Sequence, residues 1–349
     1  MERQLYIDFS SGDAAWAVGM NYETESVSGM KFTEFCKIYS RDKGPRLKES
    51  TWAFKRAVMN TALLPYFGKM ALQDITPQDV IRWQNELMAY RNEKGQPYSQ
   101  DYLRDVHAQL SAILNHAVRY YGLERNAAAV VGTFEKGAPR EMLYWTKDEY
   151  ASFARQMKQY PDYYYAFEML YWTGMREGEL LALMPADLDI PNKTVTVSKT
   201  YHRIGQEDVI TSPKTAKSNR KISMPAFLCD EMEDYMMRMH RKMMLSEGQG
   251  SSTDPFEENK WQNSRLFPMS SYHLRTALIK GADLAGVKHI RVHDLRHSHV
   301  SLLINNGFSA LAIGERVGHE AEKITYRYAH LFAFVQDQMA DMLDTVHAH

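Results

Sequence analysis

Cysteine is nearly absent: Cys36 and Cys229 are the only two in 349 residues. Two thiols so far apart, in no metal-ligand spacing, exclude a disulfide-stapled secreted scaffold and a thiolate zinc site. They read as packed, reduced thiols of a cytoplasmic protein. Long apolar runs are missing too. None approaches the ~20 residues that span a bilayer, and the opening "MERQLYIDFSSGDAAWAV" has no apolar signal core. Neither a membrane partner nor secretion is expected. Net charge is almost nil at −1, while 44% of residues are hydrophobic, which excludes a disordered, charge-expanded chain. Internal repeats are absent as well. The length suits two domains.

Charge is unevenly distributed. Residues 1–30 hold one basic and five acidic side chains, whereas residues 31–125 hold fifteen basic and ten acidic. Within the latter, "KIYSRDKGPRLKESTWAFKR" (37–56) carries seven basic residues against two acidic. That stretch is either a solvated helix pair or a surface for a polyanion.

Four helices are expected between residues 29 and 125. Met30, Phe35, Ile38 and Tyr39 share one face of the first. A second runs from a Ser50/Thr51 cap to Gly68 with Pro65 near its end. A third opens with Thr76 as cap and Pro77 at the first helical position. The fourth places Leu103, Val106, Leu110, Ile113, Leu114 and Val118 at helical spacing and stops at Gly122. Residues 126–144 lack periodicity and contain Gly132, Gly137 and Pro139, as a linker would. Beyond it, Thr146 and Glu149 form a capping box. Helices follow at 147–158, 162–173 and from Arg176 to Leu183. "KTVTVSKT" (193–200), "EDVITS" (207–212) and "RKISMP" (220–225) alternate as short strands. Helices return in the methionine-rich segment after Pro225 and at 270–285, 293–305 and 309–317, with another near the C-terminus. The fold class expected is mainly α with a small antiparallel β-sheet in the C-terminal domain.

Five polar features of this second domain are candidates for chemistry. In "YWTGMREGELLAL", Arg176 and Glu179 are i and i+3, so the carboxylate can orient the guanidinium. In "TSPKTAKSNRKISMP", Lys214 occupies a turn between strands. In "RVHDLRHSHVSLL", His293 and Arg296 are also i and i+3. In "RVGHE", His319 follows a helix-breaking glycine, and Tyr328 comes in "ITYRYAHL". Taken singly, each has an ordinary structural reading: an ion pair, a solvated hairpin lysine, a turn, a core tyrosine.

In this order, Arg, Lys, His-x-x-Arg, Gly-His and Tyr resemble the tyrosine recombinase, or phage integrase, family. The resemblance covers residues 29–349. It is nearest in pattern to integrases of prophages and conjugative transposons, through "TGMREGEL", "SPKT", "HDLRHSH" and the "GH" followed by "YAH". It implies a two-domain DNA clamp: a short N-terminal extension (1–28), a helical core-DNA-binding domain (29–125), the linker (126–144) and a catalytic domain (145–349) with a C-terminal docking tail. The extension is too short and acidic for the arm-binding domain that such integrases often carry.

The implied activity is site-specific recombination of a mobile element's DNA, through a 3′-phosphotyrosine intermediate, with no cofactor, ATP or metal. A phosphodiester is an anionic, deactivated electrophile, so charge developing on its oxygens must be neutralised. Arg176 and Arg296 suit that task as bidentate forks, with His319 as a further donor and Glu179 in support. Tyr328 is the expected nucleophile, chosen over Tyr326 by the family pattern. His293 is the expected base and Lys214 the acid for the departing 5′-hydroxyl. His299 reads as a packed core histidine, and His297 as solvated or supporting rather than catalytic. Expected contacts to the double-stranded DNA are Lys43, Arg46, Lys48, Lys55 and Arg56 in the first domain, and Lys217 and Arg220 in the second. A homotetramer on two DNA sites, assembled through the tail 335–349, is implied, with room for an excisionase or a host DNA-bending protein. The rivals are a type IB topoisomerase-like enzyme, which relaxes supercoils without synapsis, and a DNA-binding regulator with an inert pocket.

Overall fold

The start signals of the first helices act as their chemistry requires. Thr76 accepts from the Asp79 N–H and Asp79 from the Thr76 N–H, closing a capping box with Pro77 at the first position. Ser99 caps the longest helix of this part through the Tyr102 N–H. The computed structural model describes residues 27–137, 142–205, 207–212, 218–246, 255–318, 328 and 343–344. It divides into two compact units, Met1–Arg140 and Glu141–His349.

The first unit is all helical: α1 (Phe32–Lys43), α2 (Glu49–Val58), α3 (Leu64–Phe67), α4 (Pro77–Ala89), α5 (Gln100–Tyr120) and α6 (Ala127–Val131). Between α2 and α3 the chain widens into a π turn over Met59–Leu63. Pro65 explains it, because a residue without an N–H cannot continue the i to i−4 ladder. Phe32, Phe35, Phe67, Trp83, Val106, Leu110 and Ile113 form the core. Trp83 Nε1 donates to the Ala62 carbonyl at 3.0 Å. Asp42 ties α1 to the end of α5, accepting from Tyr121 Oη at 2.5 Å and lying 2.9 Å from His116 Nε2.

Several boundaries differ from expectation. The cap of α2 is Lys48 rather than Ser50/Thr51, and Val118 lies on the exposed side of α5. The linker is shorter than 126–144 at both ends. Asn126 caps α6 and donates to the Ser111 carbonyl and Asn115 Oδ1; Ala127 and Ala128 are buried in the first core. A five-residue alanine-rich helix is too short to show periodicity. At the other end Met142 packs against a cluster of the second unit.

The second unit opens with α7 (Lys147–Met157), α8 (Pro161–Thr173) and α9 (Glu177–Leu180). The capping box of α7 forms as expected between Thr146 and Glu149. Five short strands follow: β1 (Leu188–Asp189), β2 (Thr194–Val197), β3 (Thr200–Ile204), β4 (Glu207–Thr211) and β5 (Arg220–Ser223). They make two antiparallel sheets rather than one. The order β1-β2-β5 forms the first, with Val195 opposite Ile222 and Val197 opposite Arg220, and β3-β4 form a separate hairpin. The chain ends its described course with α10 (Ala226–Ser246), α11 (Pro255–Gln262), α12 (Ser271–Ala285), α13 (Asp294–Asn305) and α14 (Ala310–Val317). Phe153, Phe167, Tyr171, Leu180, Val195, Ile222, Phe267 and Leu278 belong to one large core. A smaller cluster, Val300, Ile304, Ile313, Val317 and Tyr328, lies between α13 and α14. No helix among the described residues is long and apolar enough to cross a membrane.

Helices α7 and α12 approach closely at Gly281, where an added Cβ would lie 2.4 Å from Phe153 Cε2 and 2.5 Å from Met157 Sδ. Gly281→Ala is therefore expected to destabilise the protein by about 1–3 kcal/mol through overpacking, read as a lower urea midpoint. An unchanged midpoint would show that this contact has slack.

Candidate active site

The site begins where α8 stops. Gly174 ends that helix in the left-handed conformation, at φ +66°, and a Cβ there would come within 2.5 Å of His299 Cδ2. Glycine is required twice over, by backbone and by contact. The next turn starts α9, where a Cβ on Gly178 would meet Thr200 Oγ1 at 2.7 Å, so this helix lies tight against β3. Arg176 directly precedes α9. Its backbone N–H donates to Glu179 Oε2 at 2.8 Å and its Nη1 to Oε1 at 2.7 Å.

Glu179 is shared. Arg220 on β5 donates to both carboxylate oxygens, at 3.1 and 2.8 Å. Burial pushes the Glu179 carboxyl up, but the hydrogen bonds and charges of Arg220 and Arg176 outweigh it and hold the group below its ordinary value.

Three guanidinium groups then converge on the C-terminal end of α14. Arg220 Nε donates to the Arg316 carbonyl at 2.9 Å, Arg296 Nη2 to the Val317 carbonyl, and Arg176 Nη2 to the Gly318 carbonyl at 3.5 Å. Arg296 also donates Nη1 to the Gly174 carbonyl at 2.6 Å. It is only 2% exposed. Burial first, then the charges of Arg176 and Arg220, push its guanidinium down to about 9. The Arg176 side chain is 33% exposed and is the open member of the group.

Tyr328 is 1% exposed in the apolar cluster beside α13 and α14. Its hydroxyl is hydrogen-bonded to His297 Nδ1 and lies within electrostatic reach of Arg296. The histidine on the phenol is therefore His297, which is buried, and not His293. Of the two readings expected for His297, solvated or supporting, the solvated one fails because Asp294 and His297, three apart, both turn into the protein. His293 keeps an exposed edge at the start of α13. The protein around its ring, then the charge of Arg296 and more weakly that of Arg176, hold it below the ordinary imidazole value. His299 is a core histidine as expected. Burial and Arg316, whose Nε donates to His299 Nε2 at 3.0 Å, hold it down at about 3.

Arg220 is corrected from DNA contact to buried support of Glu179, because β5 aims it inward beside α14. In the first unit the Lys55 ammonium is half-buried and donates to Gln109 Oε1 at 2.5 Å, so it is not a free backbone contact. Lys43 lies 6.0 Å from the Tyr120 ring, Arg56 is half-buried, and Arg46 and Lys48 are exposed. Lys214, Lys217, His319, Tyr326 and the tail positions Val335, Met339, Met342 and Val346 lie outside the described residues. Sequence reasoning missed Arg316 altogether; its guanidinium joins His299 to the carbonyls of Ser223 and Trp172.

Residues 144–333 match the family model described as "Phage integrase family". The chain belongs to the phage integrase family. It is a tyrosine recombinase, a DNA strand-transferase of the site-specific kind. Residues 31–88 match the model of the integrase N-terminal SAM-like domain. The ICEBs1 integrase of Bacillus subtilis is 29% identical over 320 residues, spanning 90% of this chain and 83% of its own. An integrase of prophage phiRv2 from Mycobacterium tuberculosis is 28% identical over 307 residues, 88% of this chain and 76% of its own. Among solved structures, the Tn1549 transposon integrase in complex with transposon right end DNA shares the fold at TM-score 0.66 and 20% identity. That match covers 88% of this chain and 99% of the other.

Arg220→Ala leaves the buried Glu179 carboxylate with Arg176 alone, and breaking a buried pair typically costs about 3–5 kcal/mol. The variant is expected to lose that much stability. Its salt dependence of DNA binding should match wild type, whereas a lost phosphate contact lowers the slope by about 1. The sign with pH follows. A carboxyl held low stabilises above its free-chain value of about 4.3 and ceases to as pH falls through the folded value. In Arg220→Ala that contribution is missing, so the stability deficit against wild type should be largest near neutral pH and narrow as pH falls through the folded value.

Proposed function

We propose that this chain is the integrase of a mobile element, and that Tyr328 attacks a phosphodiester of duplex DNA to form a 3′-phosphotyrosine link. A free 5′-hydroxyl from a second strand then reverses the step, so strands exchange with the bond energy conserved. The observation that carries the reading is the convergence of guanidinium groups from 176, 220 and 296, the last within electrostatic reach of the Tyr328 phenol, with the Glu179 carboxylate bridging the first two. Such a pocket is short of negative charge, and a phosphate supplies it. Arg176 meets the phosphate from the open side. Arg296 lies behind it, and its buried Nε–H, without a partner among the described residues, is a donor still to be satisfied.

Lys214 as general acid, His319 as a further phosphate donor, and Lys217 at the DNA backbone complete the reading. So do a His293 that faces the phosphate and an approach surface on the first unit centred on Arg46 and Lys48. Assembly as a homotetramer through 335–349, aided by an excisionase or a host DNA-bending protein, belongs to the same reading.

The test is a nicked suicide duplex incubated with the full chain in excess EDTA. The expected result is a covalent protein–DNA adduct from wild type and none from Tyr328→Phe, which still binds DNA. An adduct that persists in Tyr328→Phe and disappears in Tyr326→Phe would move the nucleophile.

A further inference from the structure

His297 sits one residue past Arg296, outside the Arg, Lys, His-x-x-Arg, His, Tyr series, yet among the described residues it is hydrogen-bonded to the Tyr328 hydroxyl. Its Nδ1 is hydrogen-bonded to Tyr328 Oη, and its ring centroid lies 5.7 Å from the tyrosine ring. On its other side, Nε2 lies 3.9 Å from Asp294 Oδ1. Asp294 is itself fixed. It is buried, and it accepts from the Arg291 backbone N–H at 2.8 Å and from Arg291 Nη2 at 2.8 Å. At that separation Asp294 acts on the ring as a nearby negative charge that favours an imidazolium, and an Nδ1 that accepts from the phenol is the form a base requires. A phenol and an imidazole are thus hydrogen-bonded, with a buried carboxylate 3.9 Å beyond the ring, and an adjacent base is what activates a weak oxygen nucleophile. His293 meets the His297 ring edge-on at 5.1 Å and feels the arginines, so it lies toward the phosphate side.

We infer that His297 is the base that removes the Tyr328 proton during attack and returns it when the phenol leaves. This rests on Tyr328 being the nucleophile. As the phenolic oxygen bonds to phosphorus, its proton passes to Nδ1 and the bond from phosphorus to the 5′-oxygen breaks. The 5′-oxygen takes a proton from the general acid, and the imidazolium faces Asp294. In strand transfer the incoming 5′-hydroxyl gives its proton back to the deprotonated general acid as it attacks phosphorus, the bond from phosphorus to the phenolic oxygen breaks, and the departing phenolate recovers its proton from His297. Atoms and protons balance over the cycle.

The test is single-turnover cleavage of the suicide duplex by the full chain, over the pH range in which an imidazole titrates. Asparagine places an amide oxygen near the Nδ1 position and can hold the phenol but cannot take its proton. His297→Asn is expected to bind DNA and melt as wild type while cleaving about 10²–10⁴-fold more slowly. Its rate should climb with pH toward the phenol's own ionisation, where wild type levels off. His293→Asn should lower the rate without moving that ascending limb. Added imidazole should partly restore His297→Ala. If His297→Asn does not fold, His297→Gln is judged by the same profile. A wild-type rate and profile in the His297 variant overturns the inference and leaves the integrase reading standing. A wild type that forms no Tyr328-dependent adduct removes that reading and the inference together.

Discussion

The carbonyl oxygens at the end of α14 are the point on which the second unit's site depends. A helix leaves its last carbonyls without intrahelical donors, and they carry the negative end of its dipole. Arg316, Val317 and Gly318 each present one to a guanidinium, from β5, α13 and the start of α9 respectively. Three segments distant in sequence are thereby registered on one helix terminus. Gly318, at φ +70°, closes α14 in the left-handed conformation. The Arg316 side chain runs the opposite way, to His299 and the carbonyls of Trp172 and Ser223. A single helix end thus holds α8, α9, β5 and α13 together.

Gathering like charges is costly, and the site shows how the cost is limited. Glu179 accepts from both Arg176 and Arg220, and backbone carbonyls supply partial negative charge to all three arginines. The compensation is incomplete, since Arg296 is driven well below the usual guanidinium value by burial and by its two cationic neighbours. That residual deficit is what makes the pocket suited to an anion with several oxygens. These charges are held in place by the protein's own groups, so on the proposed reading little reorganisation would be needed at the moment of reaction.

What could be read from the sequence was whatever depends on near neighbours. Caps at Thr76 and Thr146, the Arg176–Glu179 pair and the run of helices rest on spacings of three or four residues, and all three appear in the structure. Arg220 and Arg316 were not legible in their actual roles. Besides Glu179 and His299, their partners are backbone carbonyls up to 96 and 144 residues away, and a carbonyl is present at every position and so leaves no mark on a sequence. His297 is an intermediate case. Four residues after His293 and three after Asp294, it shares their side of α13, a periodicity that pairing His293 with Arg296 alone did not use. The helix α6 was hidden because one turn cannot display a period.

The same geometry explains why position 296 calls for arginine and why lysine is no equivalent. Its guanidinium donates in two directions, to Gly174 at the end of α8 and to Val317 at the end of α14. It thereby spans the two glycine-terminated helix ends with a rigid, planar group. A lysine ammonium could reach one carbonyl but has no fork to span both, and at this depth it would shed its proton more readily. It would then weaken the joint between α8 and α14 and the positive field beside Tyr328 together. In this site the atoms that join the two helix ends are the same atoms that set the positive field, so position 296 answers to folding and, on the proposed reading, to catalysis at once.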